Sequence, residues 1–247
     1  MIEDYNVYVY SKKEWIKLFL QGGAIGFCIG ILFYSSIIGA ILLGSYGFIF
    51  VQNKKKQKIE ERKWILNLQF KDGLSSVSAA LNAGYSVENA FHQAVMDLKL
   101  MYPADAFIVQ EFEGMVRQIK MNMTVEEVLM DFSIRSKIED ITNFAEVFVT
   151  AKRTGGDIVK IIRRTCKTIG DKVEVKREIL TMITGKKFET SIMCLIPFCI
   201  ILYLRLFSAG FLEPLYNNTF GAVFMTIVLI LYYFVYKLAH KIMKIEI

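Results

Sequence analysis

KRTGGDIVKII, Lys152–Ile162, places two glycines and an aspartate directly before apolar residues at helical spacing. Such a stretch is either a phosphate-handling loop or the corner between two helices. Ile158, Ile161 and Ile162 recur at intervals of three and four, and the same face continues through Thr165, Ile169, Val173, Leu180 and Ile183. That period predicts a long amphipathic helix starting at Ile158. A glycine at the end of one helix adopts a left-handed conformation at low cost, and an aspartate before the next accepts bonds from its free amides. Gly155, Gly156 and Asp157 meet both requirements.

Two further stretches have the same form. AGYSVENAF contains Gly84 and Ser86, and MNMTVEEVL contains Asn122 and Thr124. In each, a residue tolerant of left-handed backbone precedes a side-chain cap, and the cap is followed at once by Val87 or Val125. Thr124 and Glu127 have the spacing of a capping box. Between the corners run five shorter helical stripes: 66–81, 87–98, 108–119, 125–132 and 141–148. No long run alternates at period two, so no strand is predicted. The region reads as six helices forming three helical hairpins with a recurring corner.

This reading disposes of the sharper chemistry. A GGD of the kind found in cyclic-dinucleotide synthases sits on a strand hairpin in a mixed α/β domain, and no strands surround Asp157. No GxxxxGK[ST] occurs in the chain, which excludes a P-loop. The two histidines, His92 and His240, are far apart and lack metal-ligand context. The four cysteines show no ligand spacing and are expected to be inert buried thiols. The carboxylate pairs Glu111 with Glu113, Glu126 with Glu127, and Glu139 with Asp140 are expected on solvated helix faces. No nucleophile, base and orienter combine, so no catalytic, cofactor or metal site is assigned.

The remaining apolar residues are pooled. Hydrophobic types make up 54% of the 247 residues, and mean hydropathy is +0.38. Residues 18–51 contain no charge. As one helix they would be about 51 Å long, against roughly 30 Å of hydrocarbon, so two spans with a turn near residues 34–36 are expected. Gly22, Gly26 and Gly30 fall on one face, suited to close packing within that hairpin. A third span is expected over 190–212, with Pro197 as a possible kink and Arg205 snorkelling or facing other helices. A fourth is expected over 220–236.

Lys12, Lys13 and Lys17 precede the first pool, Lys54, Lys55, Lys56 and Lys58 follow it, and Lys237, Lys241 and Lys244 follow the last. Such flanks face the cytoplasm. The expected architecture is therefore an all-α polytopic membrane protein with both termini inside. Its segments are a cytoplasmic stretch (1–17), a transmembrane hairpin (18–51), a six-helix cytoplasmic domain (52–188) and two spans with a cytoplasmic tail (189–247).

Charge is uneven along the soluble region. Residues 88–146 carry eleven carboxylates against five Lys and Arg, whereas residues 152–187 carry eleven Lys and Arg against four carboxylates. Lys152, Arg153, Arg163, Arg164, Lys167, Lys172 and Lys176 form a candidate basic face, either solvated near anionic lipid or docking an acidic partner. No nucleic-acid-binding motif accompanies them.

Taken together, SSVSAALNAGYSVENAFHQAV (Ser75–Val95), GMVRQIKMNMTVEEVLMDF (Gly114–Phe132) and FVTAKRTGGDIVKIIRRT (Phe148–Thr165) resemble the type II secretion F family. The resemblance is greatest to the platform proteins of tight-adherence (Tad) pili, and it extends over about residues 63–212. It implies a non-enzymatic inner-membrane platform of a type IV-like pilus or type II-like secretion machine. The implied partners are a cytoplasmic hexameric secretion ATPase, pilin subunits, the lipid membrane, and a paralogous platform protein or a second copy. The last follows because longer members carry two copies of the helical domain and this chain has one. The alternative from another class is a transporter component with a helical regulatory or ATPase-coupling domain. Four short spans leave little room for a pathway, and the spans hold no acidic residue to relay protons.

Overall fold

Apolar stripes at spacings of three and four are buried most simply by packing helix on helix. The computed structural model describes residues 5–8, 10–34, 37–208, 210–216 and 218–243. Among them all regular structure is helical: α1 (Lys12–Tyr34), α2 (Ile37–Gly44), α3 (Tyr46–Asn82), α4 (Val87–Met101), α5 (Phe107–Lys120), α6 (Val125–Ser136), α7 (Glu139–Thr154), α8 (Ile158–Phe207), α9 (Glu213–Tyr216) and α10 (Thr219–Met243). The chain divides into two units. The first comprises residues 1–9 and 55–175, the second residues 10–54 and 176–247.

The first unit is built on the stripes. Leu66, Phe70, Leu74 and Val77 of α3 are buried with Phe91 and Leu98 of α4, Phe112 of α5, Phe132 of α6, and Phe144 and Phe148 of α7. The Phe70 ring lies 5.9 Å from Phe132 and 5.6 Å from Phe144, and Phe91 lies 5.7 Å from Phe112. Each fully buried large apolar side chain contributes about 1.5–3 kcal/mol, so this phenylalanine cluster dominates the packing. Gly73 admits one of its members: a Cβ there would lie 2.6 Å from Phe112 Cζ. The sixth stripe is shorter than its period predicts. Ile162 and Ile169 are buried, but Leu180 is exposed, because α8 passes out of the first unit after Val175 and the periodic face then has no surface of that unit to cover it.

Among the described residues, three helices are long and apolar enough to cross a membrane: Lys12–Tyr34, Ile158–Phe207 and Phe220–Ala239. The predicted second span is not one long helix. It is α2 followed, after a turn at Ser45, by the head of α3. Gly44, Ser45 and Gly47 are weak helix formers, and α2 alone is about 12 Å long, well short of the hydrocarbon thickness. Residues 35 and 36 of the expected turn lie outside the described residues.

Glycines of α1 face this interrupted segment. A Cβ at Gly22 would lie 2.8 Å from Phe50 Cβ, one at Gly47 would lie 2.8 Å from the Phe19 carbonyl oxygen, and one at Gly26 would overlap the Leu43 carbonyl. Gly22, Gly26 and Gly30 are all buried. Backbone thus meets backbone where side chains would hold the helices apart. Gly26→Leu is expected to destabilise the hairpin by about 1–3 kcal/mol through overpacking, seen as a lower thermal midpoint in detergent. Gly44→Ala, whose Cβ would sit 3.9 Å from the Gly23 oxygen, is expected to leave the midpoint unchanged. Equal melting of the two variants would rule out the glycine contact.

Candidate functional site

The first unit is organised around its three recurring corners. Gly84, Asn122 and Gly155 have φ of 90°, 65° and 74°. One residue later, a backbone N–H donates to the carbonyl five residues back: Tyr85 to Ala80 at 3.2 Å, Met123 to Gln118 at 3.2 Å, and Gly156 to Ala151 at 2.7 Å. This is the Schellman closure, which satisfies carbonyls that a helix end leaves without partners. One residue further on comes the cap. Ser86 Oγ accepts from Asn89 N–H at 3.3 Å, Thr124 Oγ1 from Glu127 N–H at 3.3 Å, and Asp157 Oδ1 from Lys160 N–H at 3.0 Å. At the middle corner Glu127 also accepts from Thr124 N–H at 2.9 Å. That backbone bond holds the Glu127 carboxyl below the usual carboxylate range.

Two side-chain bonds bring the corners together. Lys152 near the end of α7 meets Glu126 in the first turn of α6 at 2.8 Å. Arg163 in the second turn of α8 donates to Asn82, the last residue of α3, at 3.1 Å. The fourth corner has no glycine or asparagine. Lys137 takes the left-handed conformation there, with φ 49°, and its residue type carried no signal of it.

The candidate basic face is only partly a face. Lys152 and Arg163 are engaged as just described, and Lys172 binds Asp140. Lys176 is half-buried and lies beyond Val175. Arg153, Arg164 and Lys167 are exposed. Between α7 and α8 lies a cleft of about 430 Å³, with Asn143 and Val147 on one side and Arg164 and Thr168 on the other. The charge asymmetry of the sequence is thus spent in part inside the unit, where Lys152 and Lys172 neutralise carboxylates of the acidic stretch.

Two carboxylates expected on solvated faces are buried. Glu111 accepts a two-pronged bond from Arg135 at 2.9 and 2.8 Å, and Arg135 Nε also reaches Asp131 at 2.8 Å. Tyr5 O–H donates to Glu111 at 2.7 Å; burial and the adjacent carboxylate push its phenol above the ordinary value. Asp140 accepts from Asn67 Nδ2 at 2.8 Å as well as from Lys172. A signal for these pairs was present. Glu111 lies three residues after Ile108 and four before Met115, Arg135 three after Phe132, Asp140 four before Phe144, and Lys172 three after Ile169. All four sit on apolar faces, where a charge needs an opposite charge. Glu113, by contrast, is paired at the surface with Lys99 at 2.6 Å, and the Lys99 bond lowers its pKa.

In the second unit Arg205 has a defined partner. Its Nη1 donates to the Ile31 carbonyl at 2.7 Å, and Tyr216 O–H donates to the Leu32 carbonyl at 2.8 Å. Both carbonyls belong to the last turn of α1, where an α-helix runs out of its own donors, and a cation there is also favoured by the helix dipole. Pro197 lies inside α8, which continues on both sides of it. Of the cysteines, Cys166 and Cys194 are half-buried, but Cys28 and Cys199 are exposed, because apolar helices of this unit turn side chains outward. His92 is exposed on α4. Among the described residues no three His, Cys, Asp or Glu side chains group to hold a metal ion.

The family model described as type II secretion system (T2SS), protein F matches residues 74–204, more than half of the 247-residue chain and all three corners. The chain belongs to this family. Proteins with this domain are inner-membrane platform proteins of secretion and pilus systems, and they work with secretion ATPases in membrane assemblies. No curated protein and no solved structure matches the chain.

Asp157 caps α8 through Oδ1. Asp157→Ala is expected to cost about 0.5–2 kcal/mol of stability and Asp157→Ser almost nothing, measured by chemical denaturation. Loss of function in a fully stable Asp157→Ser variant would show that Asp157 does chemistry beyond the cap.

Proposed function

We propose that this member of the T2SS protein F family is the platform of a tight-adherence-type pilus, passing the work of a cytoplasmic ATPase to pilin subunits in the membrane. The observation that carries this reading is the order of the three corners. Gly84–Ser86, Asn122–Thr124 and Gly155–Asp157 are closed by the same backbone bonds, and their order along the chain resembles that of Tad platform proteins. The protein is not an enzyme; its part is mechanical. It works beside a paralogous platform protein or a second copy of itself.

In this reading the chain crosses the membrane four times, the second crossing being made by α2 with the head of α3. Both termini and residues 52–188 are cytoplasmic. Lysine-rich flanks at residues 12–17, 54–58 and 237–244 support that orientation. Reporter fusions at Ser36 and Asn217, both outside the described residues, are expected to read as external. A cytoplasmic signal at Ser36 would overturn the hairpin.

The ATPase contact is assigned to the exposed cations Arg153, Arg164 and Lys167, of which Arg164 lines the α7–α8 cleft. Reversing all three to glutamate is expected to weaken ATPase binding by about tenfold or more and to abolish fibre assembly, with the protein still in the membrane. Wild-type binding is expected to fall as salt rises. Normal binding by the reversed protein would move the contact elsewhere. Arg163 is left untouched in this test because it holds Asn82, so its loss would mix stability with binding.

A further inference from the structure

The platform reading makes no use of residues 5–8, which precede the first apolar helix. They form a turn and an irregular piece rather than a helix, yet they are held closely to the first unit. Tyr5 is only 2% exposed. Its ring packs edge-on against Phe107 at 5.8 Å, and the Arg62 guanidinium lies over both rings, 5.0 Å from Tyr5 and 4.6 Å from Phe107. Its hydroxyl ends on Glu111. Asn6 Nδ2 donates to the Arg135 carbonyl at 3.4 Å. Lys58 donates to the Tyr8 hydroxyl at 3.3 Å and lies 5.3 Å over its ring.

The electrostatics of this contact distinguish it from ordinary core. Glu111 is buried, but its charge is balanced by Arg135 and not by Tyr5, and Arg135 is balanced in turn by Glu111 and Asp131. Withdrawing Tyr5 therefore costs its ring contacts with Phe107 and Arg62 and one hydrogen bond, and it leaves the Glu111–Arg135 ion pair whole. Withdrawing Arg135 would leave a buried charge unpaired, and that is the costly event in a low-dielectric interior. The ion pair thus persists whether or not the aromatic plug is seated.

We infer that residues 5–8 are a releasable latch, with Tyr5 plugging a preformed socket made by Phe107, Arg62 and the Glu111–Arg135 pair. The chain enters α1 at Lys12, four residues after Tyr8. The α1–α2 hairpin is consequently tied to the helical unit twice, through α3 after it and through the latch before it. Release of the latch frees one of the two ties while the helical unit stays folded. This inference does not depend on the pilus reading.

Hydrogen exchange of the full-length chain in detergent tests it, comparing wild type with Tyr5→Ala and Tyr5→Phe. In Tyr5→Ala, peptides covering residues 5–11 are expected to exchange faster by about tenfold or more, while α6 and α7 exchange as in wild type. Tyr5→Phe keeps the ring and is expected to fall between. Unchanged exchange at residues 5–11 in Tyr5→Ala would overturn the latch. Faster exchange spreading through α5, α6 and α7 would also overturn it, by making Tyr5 part of the core.

Discussion

The helical unit depends on closing the backbone at its corners. Helices joined by links of a few residues have many ends, and each end leaves carbonyls or amides without partners. Water can satisfy them only where it reaches. The left-handed residue at position 84, 122 or 155 turns the chain so that the next N–H returns to a carbonyl five residues back, and the cap that follows secures the first amides of the next helix. With the ends satisfied, the phenylalanine stripes of α3 to α7 can meet. The corners do not supply the energy of the core, but they decide which faces come together.

Charge plays a second, more local part. The acidic and basic stretches look like separate surfaces along the chain. In the folded unit they are partly each other's counter-ions, through Lys152 with Glu126 and Lys172 with Asp140. What remains for a partner is a smaller set of exposed cations. The most buried pair, Glu111 with Arg135, does something different, since it sets the wall against which an aromatic side chain from the N-terminus seats. Replacing one member of such a pair is expected to cost more than the pair itself contributes.

The apolar unit follows the same logic of satisfied backbone. Where water is absent, helix ends need donors from other helices. Arg205 and Tyr216 supply them to the last turn of α1. The glycines of α1 do the complementary work, removing side chains so that α1 and the segment after it approach closely. An arginine that looks costly in an apolar stretch is thereby a cap, and a glycine-rich helix that looks weak is a packing surface.

How much of this was legible from the residues follows from the range of each interaction. Helical period, capping spacing and left-handed tolerance act within a turn or two, so the six helices from α3 to α8 and the three corners with Ser86, Thr124 and Asp157 could be read directly. The apolar pools marked the membrane segments by composition alone, although the break at Ser45 was hidden within an uncharged run. The partners of Glu111, Asp140 and Arg205 could not be read, because each lies 24 or more residues away, and spacing along one helix carries no information about which other helix will face it. Glu111 and Asp140 do share the period of buried apolar residues, but paired carboxylates read as solvated. Only the packing of the helices decided what they met there, and only that packing brought Tyr5 to a socket formed more than a hundred residues later in the chain.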